Sequence, residues 1–354
     1  MSSLEIPYQH IADILSFETS NIKLKKDLNH PSFDWDSIVV EGSKHLMLPA
    51  LYCRLKTKGL LGCLPKDLQS YLEEITRINR ERNHAILEQV HTISKLFNAH
   101  GINHIFLKGS ALLAANCFHD HAERMIGDID ILVALDQLDV AFKLLQNEGY
   151  LAKEETLGNT FFEHKHLPRL TVSRAIGAVE LHRKLFVSYV HPQLTNPKLL
   201  KNKIKCNNIY IPSQDHLLMH NILNYQVNDH GARHNSISFR SAYDSIALLR
   251  KYNYRITWNT NHYFQNYFNI TGLFFNDIAL QVKNEQNHNT AFYLFKLKHI
   301  GFYKLWDKLL NITSTSGILL KRLAFFLKNK PYRKAIINDK NRIVNHLKHM
   351  MRKI

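Results

Sequence analysis

Apolar residues recur every three or four positions through most of the first hundred residues, the period of amphipathic helices. Ile11, Ile14 and Leu15 mark one such segment, and Trp35, Ile38 and Val39 begin another after Pro31. The stretch from His45 to Leu55 keeps near-helical spacing around Pro49. A longer periodic run starts at Pro65, with Asp67, Glu73 and Glu74 early and Gly101 as its stop, which predicts one long helix. Leu68, Leu72, Ile75, Ile86, Val90 and Ile93 lie on its apolar stripe, so spacing alone makes it a packing helix.

The pattern changes after residue 101. Shorter runs predict a strand over 102–107, a helix over 110–117, a strand over 129–134 and a helix over 136–148 ending at Gly149. Phe161 to Leu167 and Ala178 to Leu185 both roughly alternate across a basic, turn-prone segment and read as antiparallel neighbours. From 208 onward the spacing is helical again. Ser213 stands as an N-cap, and a polar loop from Asn228 to Ser238 precedes a helix carrying Arg240 and Asp244 four apart. Spacing alone makes that pair a surface ion pair. The expected organisation is an N-terminal helical region (1–100), an α/β core around a mixed sheet (101–205), a C-terminal helical domain (206–316) and a basic amphipathic tail (317–354). The fold class is α+β.

Composition adds two constraints. Of 354 residues, 45% are hydrophobic and 21% charged, which excludes disorder as the default and leaves room for a sizeable core. A formal net charge of +16 attracts polyanions such as nucleic acid, an anionic membrane surface or phosphorylated substrates. Much of that charge lies between Lys321 and Lys353, where Asp339 is the only acid. Residues 317–328 mix a basic face with Leu and Phe, as interfacial helices do. The tail suits anionic lipid, nucleic acid or a partner, and equally a solvated basic cap. Cys53, Cys63, Cys117 and Cys206 show no paired spacing and read as reduced thiols. No secretory pattern opens the chain, and no apolar run reaches the ~18 residues of a membrane span. The expected location is cytoplasmic, with peripheral membrane contact through the tail.

Candidate chemistry concentrates in residues 105–133. An apolar run ends at Lys108-Gly109-Ser110, an apolar helix-like segment follows, and then come Arg124, Gly127 and Asp128-Ile129-Asp130. Side chains alternate along a strand, so Asp128 and Asp130 share a face and have the spacing to hold one or two divalent cations. The Gly-Ser turn frees backbone N–H groups suited to phosphate oxygens. Glu180 adds a third carboxylate on a predicted strand, sharing its face with His182. His164 and His166 share a face of the preceding strand. Taken singly, the aspartates are explained as turn formers and Lys108-Gly109 as a plain strand-to-helix turn. In this order they read as metal-assisted phosphoryl or nucleotidyl transfer.

With these residues in view, the chain resembles the uncharacterised nucleotidyltransferase family (the type 5 group) of the polymerase-β-like nucleotidyltransferase superfamily. Its pattern runs as a long helix, a Lys-Gly-x-(Ala/Ser)-Leu turn, an Arg-Met-x-Gly-Asp-hydrophobic-Asp strand and a hydrophobic-Glu-Leu-His strand. Here these are Lys108 to Leu112, Arg124 to Asp130 and Val179 to His182, and the likeness spans most of 45–250. The resemblance implies a polymerase-β-like core flanked by helical regions. It implies Asp128, Asp130 and Glu180 as catalytic and Mg²⁺- or Mn²⁺-binding carboxylates. Gly109 and Ser110 would bind the triphosphate, and Arg124 would neutralise phosphate charge. Lys108 would contact phosphate or simply close the strand. His164, His166 and His230 match histidine-rich family positions without an assigned role. The implied reaction moves an NMP group from an NTP to a hydroxyl of a protein, metabolite or sugar-related acceptor, releasing pyrophosphate. Two competing readings are a non-catalytic nucleotide-binding regulator on the same fold and a binder of nucleic acid or anionic membrane acting through the tail. The presence of all three carboxylates argues against the regulator.

Overall fold

In the computed structural model the described residues are 3–153, 161–254, 256, 261–281, 287–338 and 344. The N-terminal apolar stripes fold as α1 (Glu5–Leu15), α2 (Asn21–Leu28), α3 (Trp35–Lys44) and α4 (Leu48–Thr57). Ile11, Ile14 and Leu15 are fully buried. Pro49 occupies the first turn of α4, where its missing N–H would have had no helical partner. The long run becomes α5 (Lys66–Ala99), a single helix of 34 residues that ends before Gly101, whose φ of +65° suits glycine. Its buried stripe is not purely apolar, because Thr76, Asn79, Asn83 and Gln89 are interspersed with Leu72, Ile86, Val90 and Ile93.

The middle of the chain forms β1 (His104–Phe106), α6 (Lys108–Ala114), β2 (Asp128–Val133), α7 (Leu138–Asn147), β3 (Leu151–Ala152), β4 (Leu170–Thr171) and β5 (Ala178–His182). These strands make one five-stranded sheet in the order β1-β2-β5-β4-β3. The β2–β5 pair is parallel and the other pairs are antiparallel, so the sheet is mixed and the class is α+β. Ile129, Ile131, Val179 and Leu181 are all fully buried. Residues 165–167 run antiparallel beside 181–183, as expected, through Leu167 N to Leu181 O at 2.9 Å and Arg183 N to Lys165 O at 2.8 Å. The regular ladder belongs instead to β4. Pro168, which has no N–H to donate, interrupts the run before it.

The expectation of helix from 208 onward is corrected by a hairpin. After α8 (Asn196–Lys201), β6 (Ile204–Cys206) and β7 (Ile209–Ile211) pair antiparallel around Asn207 and Asn208, with φ of 47° and 65°. Two left-handed residues in a two-residue loop match a turn whose twist suits a hairpin. Helices then resume with α9 (Gln214–Leu223), a π-helical segment (Asn224–Asn228), α10 (Gly231–His234), α11 (Phe239–Lys251), α12 (His262–Thr271), α13 (Asn276–Ala279) and α14 (His288–Lys298). Ser213 takes the N-cap position of α9, but its hydroxyl meets His216 Nδ1 at 3.0 Å rather than a helix amide.

The chain divides into two compact units, Leu4–Lys153 with Lys165–Leu294, and Met1–Ser3 with Glu154–His164 and Phe295–Ile354. The second contains α15 (Ile300–Lys328) and α16 (Lys330–Asn338), with Phe161, Phe162 and Phe325 packed around Tyr332 at centroid distances of 5.1–5.6 Å. The part of the expected tail beyond Asn338, apart from Val344, lies outside the described residues. Among the described residues no helix is long and apolar enough to cross a membrane, and the four cysteines are free.

Candidate active site

The parallel register of β2 and β5 sets Asp128 opposite Ala178 and Asp130 opposite Glu180. Because side chains alternate, the isoleucines of β2 enter the core while both aspartates face the other way, where Glu180 and His182 also project. Asp130 and Glu180 are buried, at 5% and 8% exposure, and Asp128 is half-buried at the strand's start.

Four cationic or imidazole side chains converge on these carboxylates. Lys108 Nζ lies 2.5 Å from Asp130 Oδ1, and His182 Nε2 lies 2.8 Å from the same oxygen. Arg169 Nη2 touches both Asp128 Oδ2 at 2.9 Å and Glu180 Oε1 at 2.7 Å. His166 Nε2 stands 3.7 Å from Glu180 Oε2. Burial works to raise the Asp130 carboxyl, but the His182 hydrogen bond and the Lys108 ammonium outweigh it and hold the group well below the usual carboxylate range. Asp128 moves the other way: burial raises it against the pull of Arg169.

The donor set fits a divalent cation. Ligand atoms of Asp130, Glu180 and His182 all lie within 4.8 Å of one another. Two carboxylates are hard oxygen donors of the kind Mg²⁺ and Mn²⁺ take. One guanidinium nitrogen already touches Asp128 and Glu180 at once, so these two oxygens surround a common point. The structure therefore brings Asp130 and Glu180 together, sets Asp128 beside them through Arg169, and adds His182 to the group.

The expected phosphate-binding turn has a definite geometry. Lys108 sits in left-handed backbone, φ 51°, an unusual state for a residue with a side chain. A Cβ on Gly109 would come within 2.9 Å of Ile126, so the turn packs too closely for anything larger. The Ser110 hydroxyl is fully buried and donates to Leu107 O at 2.8 Å, which commits it to the turn itself. Lys108, Gly109, Arg124, Asp128, Asp130 and Arg240 line one cleft of about 340 Å³, together with Asn224 and Asp229 from the π-helical end of α9. Basic groups and carboxylates thus face each other across it.

Arg124 is anchored rather than loose. Its Nε donates to both oxygens of Asp244 at 2.9 Å, and its Nη1 donates to Met125 O at 2.5 Å. The expected Arg240–Asp244 surface pair is corrected: Asp244 is 1% exposed, because α11 turns that face into the core, and the arginine bonded to it comes from 120 residues upstream.

Sequence reasoning missed the positioning role of α5. Asn83 Nδ2 donates to His121 O at 2.6 Å and to Arg124 O at 2.7 Å, and Asn79 Nδ2 donates to Ala122 O at 2.7 Å. Arg80 pairs with Asp120 at 2.7 Å, and Arg82 Nε donates to Ile126 O at 3.2 Å. Gln89 bonds Gly177 twice, accepting from its N at 3.0 Å and donating to its O at 2.8 Å, just before β5. One face of a helix thus holds the loop before β2 and the start of β5. The available signal was the pair Asn79 and Asn83, four apart on a stripe that otherwise reads as apolar. Arg169 was missed as well; with Leu170 opposite Val179, the antiparallel register sets it opposite Glu180. His230 has left-handed backbone, φ 61°, at the start of α10, and His164 belongs to the second unit.

The family model described as "Uncharacterised nucleotidyltransferase" matches residues 31–262, which contain every site residue named above. Among curated proteins none matches. The chain belongs to the uncharacterised nucleotidyltransferase family and is an enzyme of that class.

Proposed function

We propose that this nucleotidyltransferase moves an NMP group from an NTP to a hydroxyl acceptor on a polymerase-β-like core, with Asp128, Asp130 and Glu180 holding Mg²⁺ or Mn²⁺. The observation that carries the reading is the lateral pairing of Asp130 with Glu180, with Asp128 two residues upstream on the same face, beside a cleft that also presents Lys108, Arg124 and Arg240. A bound divalent cation would draw charge from the phosphate oxygens and ease ionisation of the acceptor hydroxyl.

The protein's own part is positioning and charge. His182 bonds Asp130 and fixes the orientation of its carboxylate, as groups behind metal ligands commonly do. Lys108 and Arg124 supply positive charge on the cleft side where a triphosphate would lie, and the close packing at Gly109 leaves the turn's backbone near it. Glu180 takes the role of accepting the acceptor's proton. The acceptor oxygen forms a bond to the α-phosphorus, the bond from that phosphorus to the β-bridging oxygen breaks, and pyrophosphate leaves. No covalent enzyme intermediate is needed.

The test supplies each labelled NTP with Mg²⁺ or Mn²⁺ and cell extract, and follows both the labelled product and pyrophosphate. Metal-dependent labelling that Asp130→Asn abolishes supports the proposal. Nucleotide binding with no label transfer under any metal would instead favour the non-catalytic regulator.

A further inference from the structure

α15 is 29 residues long, about 43 Å at helical rise, and none of its residues is buried. At 100° per residue, Leu305, Leu309, Ile312, Leu320, Leu323 and Leu327 fall within roughly an 80° arc. They are strongly exposed: Leu320 at 65%, Leu327 at 64%, Leu305 at 56% and Leu323 at 55%. An apolar stripe that runs along the helix on both sides of Ser316 marks an interaction surface in water. The second unit's own packing uses the other side of the helix, where Phe325 meets Phe162 and Tyr332 and Arg322 lies over the Phe162 ring.

We propose that this stripe docks α15 flat on an anionic lipid bilayer. Charge selects the occupant. Lys304, Lys321, Arg322 and Lys328 fall on the side away from the stripe, Lys308 lies at its margin, and Asp307 is the only acid of the helix. Lys330, Arg333 and Lys334 of α16 continue the basic character with no acid among them. A second copy seated on the stripe would cover the leucines but leave the cations of the far side facing water, with nothing to meet their charge. Nucleic acid would neutralise the cations but leave the leucines in water. An anionic bilayer satisfies both halves, with leucines in the acyl boundary and lysines reaching toward headgroup phosphates. The helix then lies in the interface plane and does not cross it.

The test is co-sedimentation of the full-length protein with phosphatidylcholine vesicles, with and without phosphatidylglycerol. Binding should require phosphatidylglycerol and weaken as salt rises. Lys321→Gln with Lys328→Gln should reduce the partition about fivefold for each charge removed, roughly 25-fold together. Leu320→Ser with Leu327→Ser should abolish sedimentation while far-UV circular dichroism and nucleotidyl transfer stay unchanged. These four positions are exposed, so both double variants should fold. The proposal is overturned by absence of binding to anionic vesicles, by equal binding to neutral ones, or by binding that both double variants leave intact. A concentration-dependent dimer dissolved by the leucine variants without vesicle binding would assign the stripe to a second copy. Salt-sensitive RNA binding that ignores those variants, again without vesicle binding, would assign the basic face to nucleic acid.

Discussion

Arg124 and Asp244 lie 120 residues apart and meet through an arginine Nε that donates to both carboxylate oxygens at 2.9 Å. The arginine precedes β2 and the aspartate lies on α11, so the bond ties the carboxylate strand to the helical wall of the cleft. Both side chains are almost wholly buried, at 11% and 2% exposure. Removing one partner leaves the other as an uncompensated charge. Asp244→Ala should therefore destabilise the protein by about 3–5 kcal/mol, measured by urea unfolding. A loss below about 1 kcal/mol would mean that the pair is readily replaced by water.

Asp130→Asn and Asp128→Asn test the chemistry. Each keeps nearly the same volume and removes one charge from the cluster. Pyrophosphate release should fall about a thousandfold or more, in keeping with the loss of a preorganised charge at a reacting centre. The unfolding transition should remain cooperative. Turnover equal to wild type would remove that aspartate from the role.

Arg169 occupies the point shared by Asp128 and Glu180. A guanidinium there competes with a cation for the same oxygens. Arg169→Gln should make Tm rise more steeply on adding Mn²⁺ than it does in wild type, followed by scanning fluorimetry. An identical response would show that the arginine and the cation do not share those oxygens.

Asn83 contacts no proposed substrate group, yet its amide carries the backbone of His121 and Arg124. Asn83→Ala should cost about 1–3 kcal/mol, because His121 O loses its side-chain donor and Arg124 O keeps only the longer bond from Asn79 Nδ2 at 3.4 Å. Turnover at saturating NTP should also drop, because the arginine loop loses its support. Asn83→Asp would not rescue, since a carboxylate cannot donate to those carbonyls.

His104 gives a pH dependence with a defined sign. It is fully buried, and burial lowers its pKa from 6.5 to about 4. Its Nδ1 donates to Ile102 O at 2.8 Å, while Nε2 has no partner among the described residues, so a second proton has no acceptor there. Between pH 6.5 and 4 the unfolded chain binds a proton at this side chain that the folded chain does not. Stability is present above pH 6.5 and is lost as pH falls toward 4, by about 3 kcal/mol from this one group. His104→Phe keeps the ring contacts with Phe97 and Tyr210 and should flatten that part of a urea-unfolding profile.

The helices and the two acidic strands were legible in the sequence because their periods are long or their motif is distinctive. The stripe over 66–99 and the Asp128-Ile129-Asp130 triplet reach their folded positions unaltered in kind, and the motif resemblance holds across residues 31–262. The hairpin at 204–211 was passed over because each strand is only three residues long, although Asn207-Asn208 carries the turn signal. Contacts between distant segments left no local mark. Arg169 beside Glu180, Arg124 on Asp244 and Asn83 under the arginine loop depend on register and crossover paths, which periodicity does not encode. The Arg240–Asp244 spacing was a true local signal with the wrong partner, since burial of α11 decided the outcome.

The parallel neighbours β2 and β5 also govern when the site can come into being. Their paired residues are 50 positions apart, and everything between them must be threaded before Asp130 finds Glu180. During synthesis the acidic cluster cannot assemble on the emerging chain until β5 has left the ribosome, and Arg124 must wait still longer for Asp244. On the proposed function, a product truncated before β5 would carry the Asp128-Ile129-Asp130 motif without the Glu180 that completes the cluster.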